Sequence, residues 1–278
     1  MNLVLAHGYW GFTKFLQIEY FRGVKQDLEK NFSAKILVTK VDPDEGVEKR
    51  GVQLRRQILV ALGETPPNNA GENHLAQTLD PSRKTHIIAH SMGGLDSRFM
   101  LSPTNPDHLA APIASLTTIS TPHRGSPIAD WFAGQLDEKR WWLLNWWVER
   151  QLRKVLTALG ISLEGLNDLT TAAAVSFNQK YVDHPQVRYF SVAGAGRASG
   201  RPTAKLLYPA YKYIKKKTSE ANDGLVALSS AKWGEFDSQL WPADHVEEIG
   251  HDLDRPGKSG ALDHLAKYRE LAARLQNI

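Results

Sequence analysis

The most constraining stretch of this sequence is IIAHSMGGLDSRFM, Ile87 to Met100, in which a serine separates an apolar run from a pair of glycines. The residues THIIAH are typical of a short buried strand, and GGLDSRFML opens a helix. A turn this tight needs small residues two positions before and after the serine, and Ala89 and Gly93 supply them. The pattern predicts a nucleophile elbow at Ser91, although a serine that caps an ordinary helix fits the pentapeptide equally well.

Strand-like and helix-like segments alternate along the 278 residues, with no internal repeat and no domain break. This alternation predicts a single α/β domain, residues 1–278, with a mostly parallel sheet covered by helices on both faces. In such a sheet the functional groups collect in loops beyond the carboxyl ends of the strands. The predicted strands are 2–6, 34–41, 85–90, 113–120, 187–194 and 225–230.

The composition argues against several classes of protein. The net charge is +4, from 34 Lys and Arg against 30 Asp and Glu, which is too small an excess to indicate nucleic-acid binding. No apolar run is long enough to span a bilayer, and a chain without cysteine has no disulfide and no thiol nucleophile. The chain opens on a strand pattern, so we expect a cytoplasmic protein, or a secreted one if a leader has been removed. The one basic cluster, YKYIKKK, is typical of an exposed, solvated segment.

A serine nucleophile also requires backbone donors for an oxyanion, and two positions offer them. The first strand ends in AHGYWGF, where His7 and Gly8 let the backbone approach a ligand closely and leave the N–H of Tyr9 to donate. The second donor is the N–H of Met92, directly after the serine and at the positive end of the following helix. Both positions are therefore candidates for an oxyanion hole.

The base that activates such a serine must be one of the ten histidines, because only histidine titrates near neutral pH. With this elbow the acid and then the base follow the serine along the chain. In this order NDGLVALSS offers Asp223 as the acid and WPADHVEEIG offers His245 as the base, although Asn-Asp-Gly is also an ordinary turn. The rival bases are His251 and His264, and the rival acids are Asp237 and Asp252.

Seven segments of this chain resemble, in the same order, segments of the pseudomonad-type bacterial triacylglycerol lipases. They are HGYWGF, EYFRGV, AHSMGGLDSRF, LTTISTPHRGSPIADWF, LTTAAAVSFNQKY, NDGLV and DHVEEI, from about His7 to Ile249. The resemblance implies an α/β-hydrolase fold and ester hydrolysis. The roles it implies are nucleophile for Ser91, acid for Asp223, base for His245, and oxyanion donor for the backbone N–H groups of Tyr9 and Met92.

The chain departs from this family where secreted members commonly bind a structural calcium. They use two aspartates, one of them two residues after the catalytic histidine. Glu247 stands at that position here, and no aspartate occurs between His184 and Asn222, where the second is expected. A tight calcium site needs several oxygen ligands, more than one of them a carboxylate. We therefore expect no cofactor, with Glu247 as a weak calcium candidate.

Four of the eight tryptophans lie in KRWWLLNWWVERQLRKVLTALG, where apolar residues recur at helical spacing beside basic residues. This pattern is typical of a core helix, but clustered tryptophans beside basic residues also suit contact with a lipid–water interface. The resembling lipases carry a mobile lid in this part of the chain. We therefore expect a helical lid or cap over residues 131–181, which includes Trp141, Trp142, Trp146 and Trp147.

These expectations describe a cofactor-independent serine carboxylic ester hydrolase that cleaves acyl esters, such as triacylglycerols, through an acyl-enzyme. The expected partner is a lipid or a small acyl ester, with no nucleic acid and no transmembrane segment. Two alternatives stay open from the sequence. One is an acyltransferase or thioesterase that uses the same three residues, and the other is a non-catalytic binding protein on a hydrolase scaffold.

Overall fold

The computed structural model describes residues 1–8, 19–43, 45–135 and 163–278, which contain a six-stranded sheet. All its strand pairings are parallel, in the order β2-β1-β3-β4-β5-β6, once the strands are numbered along the chain. The predicted α/β class with a mostly parallel sheet is confirmed. The strands are β1 Asn2–Ala6, β2 Lys35–Val38, β3 Thr85–His90, β4 Ile113–Ile119, β5 Arg188–Val192 and β6 Glu235–Phe236.

The central strands are buried on both faces, which is why their sequences are continuous apolar runs rather than alternating patterns. Every residue of β1 and of β3 is buried. Because successive side chains point to opposite faces, Leu3 and Leu5 pack into one core cluster, whereas Val4 and Ala6 pack into another. The sheet therefore separates two hydrophobic layers.

Helices cover both of these layers. Helices α1 (Val24–Asn31) and α9 (His264–Leu275) pack on the face of Leu3 and Leu5, and helix α2 (Val47–Leu62) packs on the face of Val4 and Ala6. Helix α9 begins where the Asp263 side chain accepts the N–H of Ala266. The described helices are α1 Val24–Asn31, α2 Val47–Leu62, α3 Gly93–Leu101, α4 Pro127–Gln135, α5 Leu163–Asp168, α6 Thr171–Lys180, α7 Tyr208–Thr218, α8 Leu228–Ala231 and α9 His264–Leu275, with 3-10 turns at Ala70–Leu75 and Glu247–Ile249.

The predicted strand at 225–230 is wrong. The N–H groups of Leu225 and Val226 donate to the carboxylate of Asp223, so they are not available to a sheet ladder, and the chain continues into α8. The last strand of the sheet is β6, which an apolar-run criterion misses because it has only two residues, Glu235 and Phe236.

The predicted lid at 131–181 lies partly outside the described residues, because 136–162, with its four tryptophans, is not described. Within the described part, Trp131 and Phe132 of α4 pack in a cluster with Met92 and Leu95. The lid therefore stays a prediction. Among the helices that the structure describes, none combines the length and apolarity needed to cross a bilayer.

Candidate active site

Ser91 lies in the turn between β3 and α3, with a backbone φ of 55°. This left-handed conformation is unfavourable for a residue other than glycine, so the surroundings must impose it. The N–H of Ser91 donates to the carbonyl of Ile119 at 2.9 Å, and the hydroxyl of Thr121 donates to the carbonyl of Ser91 at 2.7 Å. The turn is therefore held from the neighbouring strand, which fixes the position of the serine hydroxyl.

Two glycines let other backbone segments pack directly against this turn. A Cβ atom on Gly93 would lie 2.5 Å from the carbonyl oxygen of Ala6, and one on Gly8 would lie 2.5 Å from the Cβ of Ser91. Both distances are far shorter than a van der Waals contact, so any side chain would force the backbones apart. The end of β1 thus lies beside Ser91. Tyr9, the predicted oxyanion donor, lies outside the described residues.

Three side chains from distant parts of the sequence meet at this turn. His245 Nε2 lies 2.9 Å from Ser91 Oγ, and His245 Nδ1 lies 2.8 Å from Asp223 Oδ2. All three residues are buried. In this arrangement the imidazole can accept the hydroxyl proton while the carboxylate holds the opposite ring nitrogen. The structure brings together the three residues selected from the sequence, and their catalytic roles stay predictions.

The Asp223 carboxylate is oriented by its own turn. Its Oδ1 accepts the N–H groups of Leu225 and Val226, each at 2.8 Å, which leaves Oδ2 for the imidazole. The N–H of His245 donates to the carbonyl of Asp223 at 3.0 Å, so the two loops are also joined through the backbone. The Asn-Asp-Gly segment therefore forms a turn and also supplies the candidate acid.

The rival residues have other partners. His251 and His264 each place Nε2 against backbone carbonyls of residues 19–22. Asp237 accepts a backbone N–H two residues further on, and Asp252 is paired with arginines. In the part of the chain that the structure describes, the hydrogen bonds that lead from Ser91 run through His245 and Asp223.

Met92, the second predicted oxyanion donor, follows Ser91 directly at the N-terminus of α3. The unpaired N–H groups and the helix dipole make this end of a helix favourable for negative charge. The position therefore suits an oxyanion donor, and that role stays a prediction.

A buried arginine holds the strand end that faces Ser91. Arg50 Nη2 donates to the carbonyls of His7 and Gly8 at 3.0 and 3.3 Å, and it lies 2.8 Å from Asp96 of α3. Burial raises the pKa of Asp96 to about 6 against the opposing effect of Arg50. Neither residue was predicted from the sequence. The available signal is a charged residue within the apolar side of α2, three positions after Val47.

A second hydrogen-bonded chain runs behind His245. The N–H of Gly8 donates to the hydroxyl of Tyr20 at 3.0 Å, this hydroxyl lies 2.8 Å from His90 Nδ1, and His90 Nε2 lies 3.0 Å from Glu248 Oε2. Burial lowers the pKa of His90 and raises that of Glu248. The rings of His90 and His245 lie 4.5 Å apart. His90 and Glu248 were also missed, although they flank the predicted nucleophile and base in the sequence.

His90, His245 and Glu248 place potential metal-ligand atoms within 4.8 Å of one another. The His245 nitrogens are engaged by Ser91 and Asp223, and those of His90 by Tyr20 and Glu248. A metal here would have to displace those partners, so the geometry favours a hydrogen-bonded network. Glu247, the weak calcium candidate, lies 3.0 Å from the guanidinium of Arg197.

Known proteins are similar to this chain in sequence and in fold. A family model described as a PGAP1-like alpha/beta domain matches residues 70–195. Triacylglycerol lipase 2 of Saccharomyces cerevisiae is 31% identical over 86% of this chain, which spans 64% of the yeast protein. A triacylglycerol lipase of Vibrio cholerae is 29% identical over 99% of this chain and 87% of its own length. The crystal structure of Staphylococcus hyicus lipase superimposes with a TM-score of 0.69 at 17% identity, covering 99% of this chain and 95% of its own.

Proposed function

We propose that the chain, which has the α/β-hydrolase fold and is similar to bacterial triacylglycerol lipases, belongs to their family and is a serine carboxylic ester hydrolase. Its substrates are acyl esters, lipid esters among them, and it works through an acyl-enzyme. The observation that carries the proposal is the buried imidazole of His245 between Ser91 Oγ and the Asp223 carboxylate. The relatives named triacylglycerol lipase support the lipid substrate class.

In the proposed reaction Ser91 Oγ attacks the ester carbonyl carbon while His245 Nε2 takes the hydroxyl proton. The bond to the alcohol oxygen then breaks, and His245 gives its proton to the departing alcohol. Water attacks the acyl-enzyme with the same imidazole as base, which releases the carboxylic acid and restores Ser91. Asp223 holds the imidazole in the required tautomer and stabilises its charged form.

The oxyanion of each tetrahedral intermediate is assigned to the backbone N–H groups of Met92 and Tyr9. The position of Met92 at the start of α3 supports its part. The part of Tyr9 is supported by the His-Gly pair that precedes it and by the family resemblance. One such donor is typically worth about 3–4 kcal/mol of transition-state stabilisation.

The proposal is tested with p-nitrophenyl esters of short to long acyl chains, using the wild type, Ser91→Ala and the control Ser33→Ala. Ser33 is exposed in the loop before β2, so its variant should match the wild type. We expect Ser91→Ala to lose on the order of 10⁴-fold or more in kcat. A Ser91→Ala protein as active as the wild type would contradict the proposal.

The same samples separate the alternatives. With a long-chain ester and an added alcohol acceptor, free acid as the main product supports hydrolysis, whereas a new ester as the main product assigns acyl transfer. A folded wild type that is inert on every ester would favour the non-catalytic binding protein. The acyl-chain length at which hydrolysis is fastest distinguishes an esterase from a lipase: a short-chain optimum favours an esterase, and a long-chain optimum favours a lipase.

A further inference from the structure

Arg197 lies among four carboxylates next to the loop that carries His245. Its side chain is 14% exposed, and three of the four carboxylate side chains are at most 3% exposed. Its contacts are Nε to Glu247 Oε1 at 3.0 Å, Nη1 to Asp254 Oδ2 at 2.9 Å, and Nη2 to Asp244 Oδ2 and Asp252 Oδ1, both at 3.3 Å.

The guanidinium compensates a concentration of negative charge that is costly to bury. Burial and the charge of Glu247 raise the pKa of Asp244 to about 6, although Arg197 opposes this effect. Burial alone would lower the pKa of Arg197, but the surrounding acids raise it above its ordinary value. Arg255 also pairs with Asp252, at 2.7 Å. Without Arg197, however, the buried Asp244 and Glu247 would repel one another, so their packing depends on this cation.

The cluster controls the backbone on both sides of His245. Asp244 Oδ1 accepts the N–H groups of Val246 and Glu247, each at 3.1 Å, and so closes the turn that carries the imidazole. Asp244 Oδ2 accepts the N–H of Ala204 at 2.8 Å, which attaches this turn to the segment before α7. A residue that holds Asp244 and Glu247 together therefore sets where His245 lies.

The residues around Glu247 do not fit a calcium ion. Carboxylate oxygens are the ligands calcium prefers, and four of these groups converge here. The space between them is taken by the guanidinium of Arg197, which makes an ion pair with each of the four. A second cation at this place would be repelled by the first.

We propose that Arg197 is a positioning residue that takes the place of a structural cation, holding the His245 loop so that the chain needs no calcium. The kinetic part of this inference rests on the proposed hydrolase function. The calcium part does not, because it concerns how the loop is held together.

The test compares the wild type with Arg197→Ala, Arg197→Lys and the control Arg201→Ala, each with millimolar CaCl₂ or with EGTA. The measurements are the thermal unfolding midpoint, kcat and KM on a p-nitrophenyl ester, and calcium binding by titration calorimetry. Arg201 is a suitable control because, among these acids, its closest contact is Asp254 at 3.7 Å.

We expect the wild type and Arg201→Ala to be insensitive to EGTA and calcium. Arg197→Ala should lose on the order of 10²-fold in kcat with little change in KM, because the imidazole is misplaced while substrate contacts remain. Arg197→Lys should recover part of this loss, since one ammonium replaces the charge but not the planar fork. Calcium should bind Arg197→Ala and raise both its midpoint and its kcat.

Three results would overturn the inference: a wild type that is destabilised by EGTA, an Arg197→Ala protein with wild-type kcat, or a folded Arg197→Ala protein that binds no calcium. If Arg197→Ala does not fold, the kcat of Arg197→Lys and the unfolding midpoint of the wild type in EGTA still test the inference. If the wild type hydrolyses no ester, the proposed function fails, whereas the midpoints and the calorimetry still test the calcium part.

Discussion

The backbone conformation of Ser91 is unfavourable in free energy, and the surrounding strands impose it. A non-glycine residue at a φ of 55° is disfavoured by roughly 1–2 kcal/mol. The hydrogen bond that the Ser91 N–H donates to Ile119 and the one that its carbonyl accepts from Thr121 keep the turn in this form. The proposed nucleophile therefore stands at a position where stability and chemistry favour different residues.

We predict that Ser91→Gly is more stable than Ser91→Ala by about 1 kcal/mol, because glycine adopts positive φ without a steric penalty. Neither variant should hydrolyse esters, since both lack the hydroxyl. Urea unfolding of the two inactive proteins checks the difference in free energy. A Ser91→Gly protein less stable than Ser91→Ala would show that the turn carries no such strain.

At the scale of elements, Arg50 connects α2 to the end of β1 and to α3. Its guanidinium is fully buried and donates hydrogen bonds to the Asp96 carboxylate and to backbone carbonyls, among them those of His7, Gly8 and Asp42. It serves both the packing of the two helices and the position of the strand end beside Ser91.

Two variants separate these functions of Arg50. Arg50→Met should cost about 3–5 kcal/mol of unfolding free energy, because it leaves Asp96 buried and unpaired. The double variant Arg50→Met with Asp96→Leu should recover at least half of this loss. We expect kcat to stay low in both variants, because the carbonyls of His7 and Gly8 lack their donor.

Urea unfolding and ester kinetics on the single and double variants make the comparison. If kcat returns together with stability in the double variant, Arg50 acts through packing alone and has no part in positioning the strand end.

On the scale of the whole molecule, buried histidines make stability depend on pH. His123 is fully buried, with Nε2 3.0 Å from Thr118 Oγ1. Burial, followed by the charges of Arg98 and Arg124, lowers its pKa well below 6.5. The unfolded chain therefore binds a proton at His123 at a pH where the folded chain does not, so this group makes stability fall as pH falls below about 6.5.

We predict that His123→Gln has a smaller decrease of unfolding free energy between pH 6.5 and 5 than the wild type, by up to about 1.4 kcal/mol per pH unit. Comparison with the wild type at each pH is needed because Asp96 and Asp244, whose pKa values are raised to about 6, act in the opposite direction. Chemical unfolding at four pH values provides the test. Parallel curves for the two proteins would contradict it.

The fold could be predicted to the extent that its signals are local. The strands at 2–6 and 85–90 were predicted with the bounds that the structure gives, because continuous apolar runs have few other uses in a chain of this length. The apolar run at 225–230 was predicted as a strand but is not one. The side chain of Asp223 accepts backbone N–H groups of this run that a strand would donate to its neighbour in the sheet. The spacing of apolar residues does not show that a nearby carboxylate will accept these backbone hydrogen bonds in place of a neighbouring strand.

The alternating α/β architecture and the serine turn follow from the order of the amino acids. The choice of Asp223 and His245 needed the family resemblance as well. Which ionisable residues are buried and paired became known only from the folded arrangement. Arg50 meets Asp96 across 46 positions, His90 meets Glu248 across 158, and Arg197 meets its four acids from another loop. This difference arises because a turn or strand depends on neighbours in the chain, whereas a buried polar pair depends on which surfaces the fold removes from water.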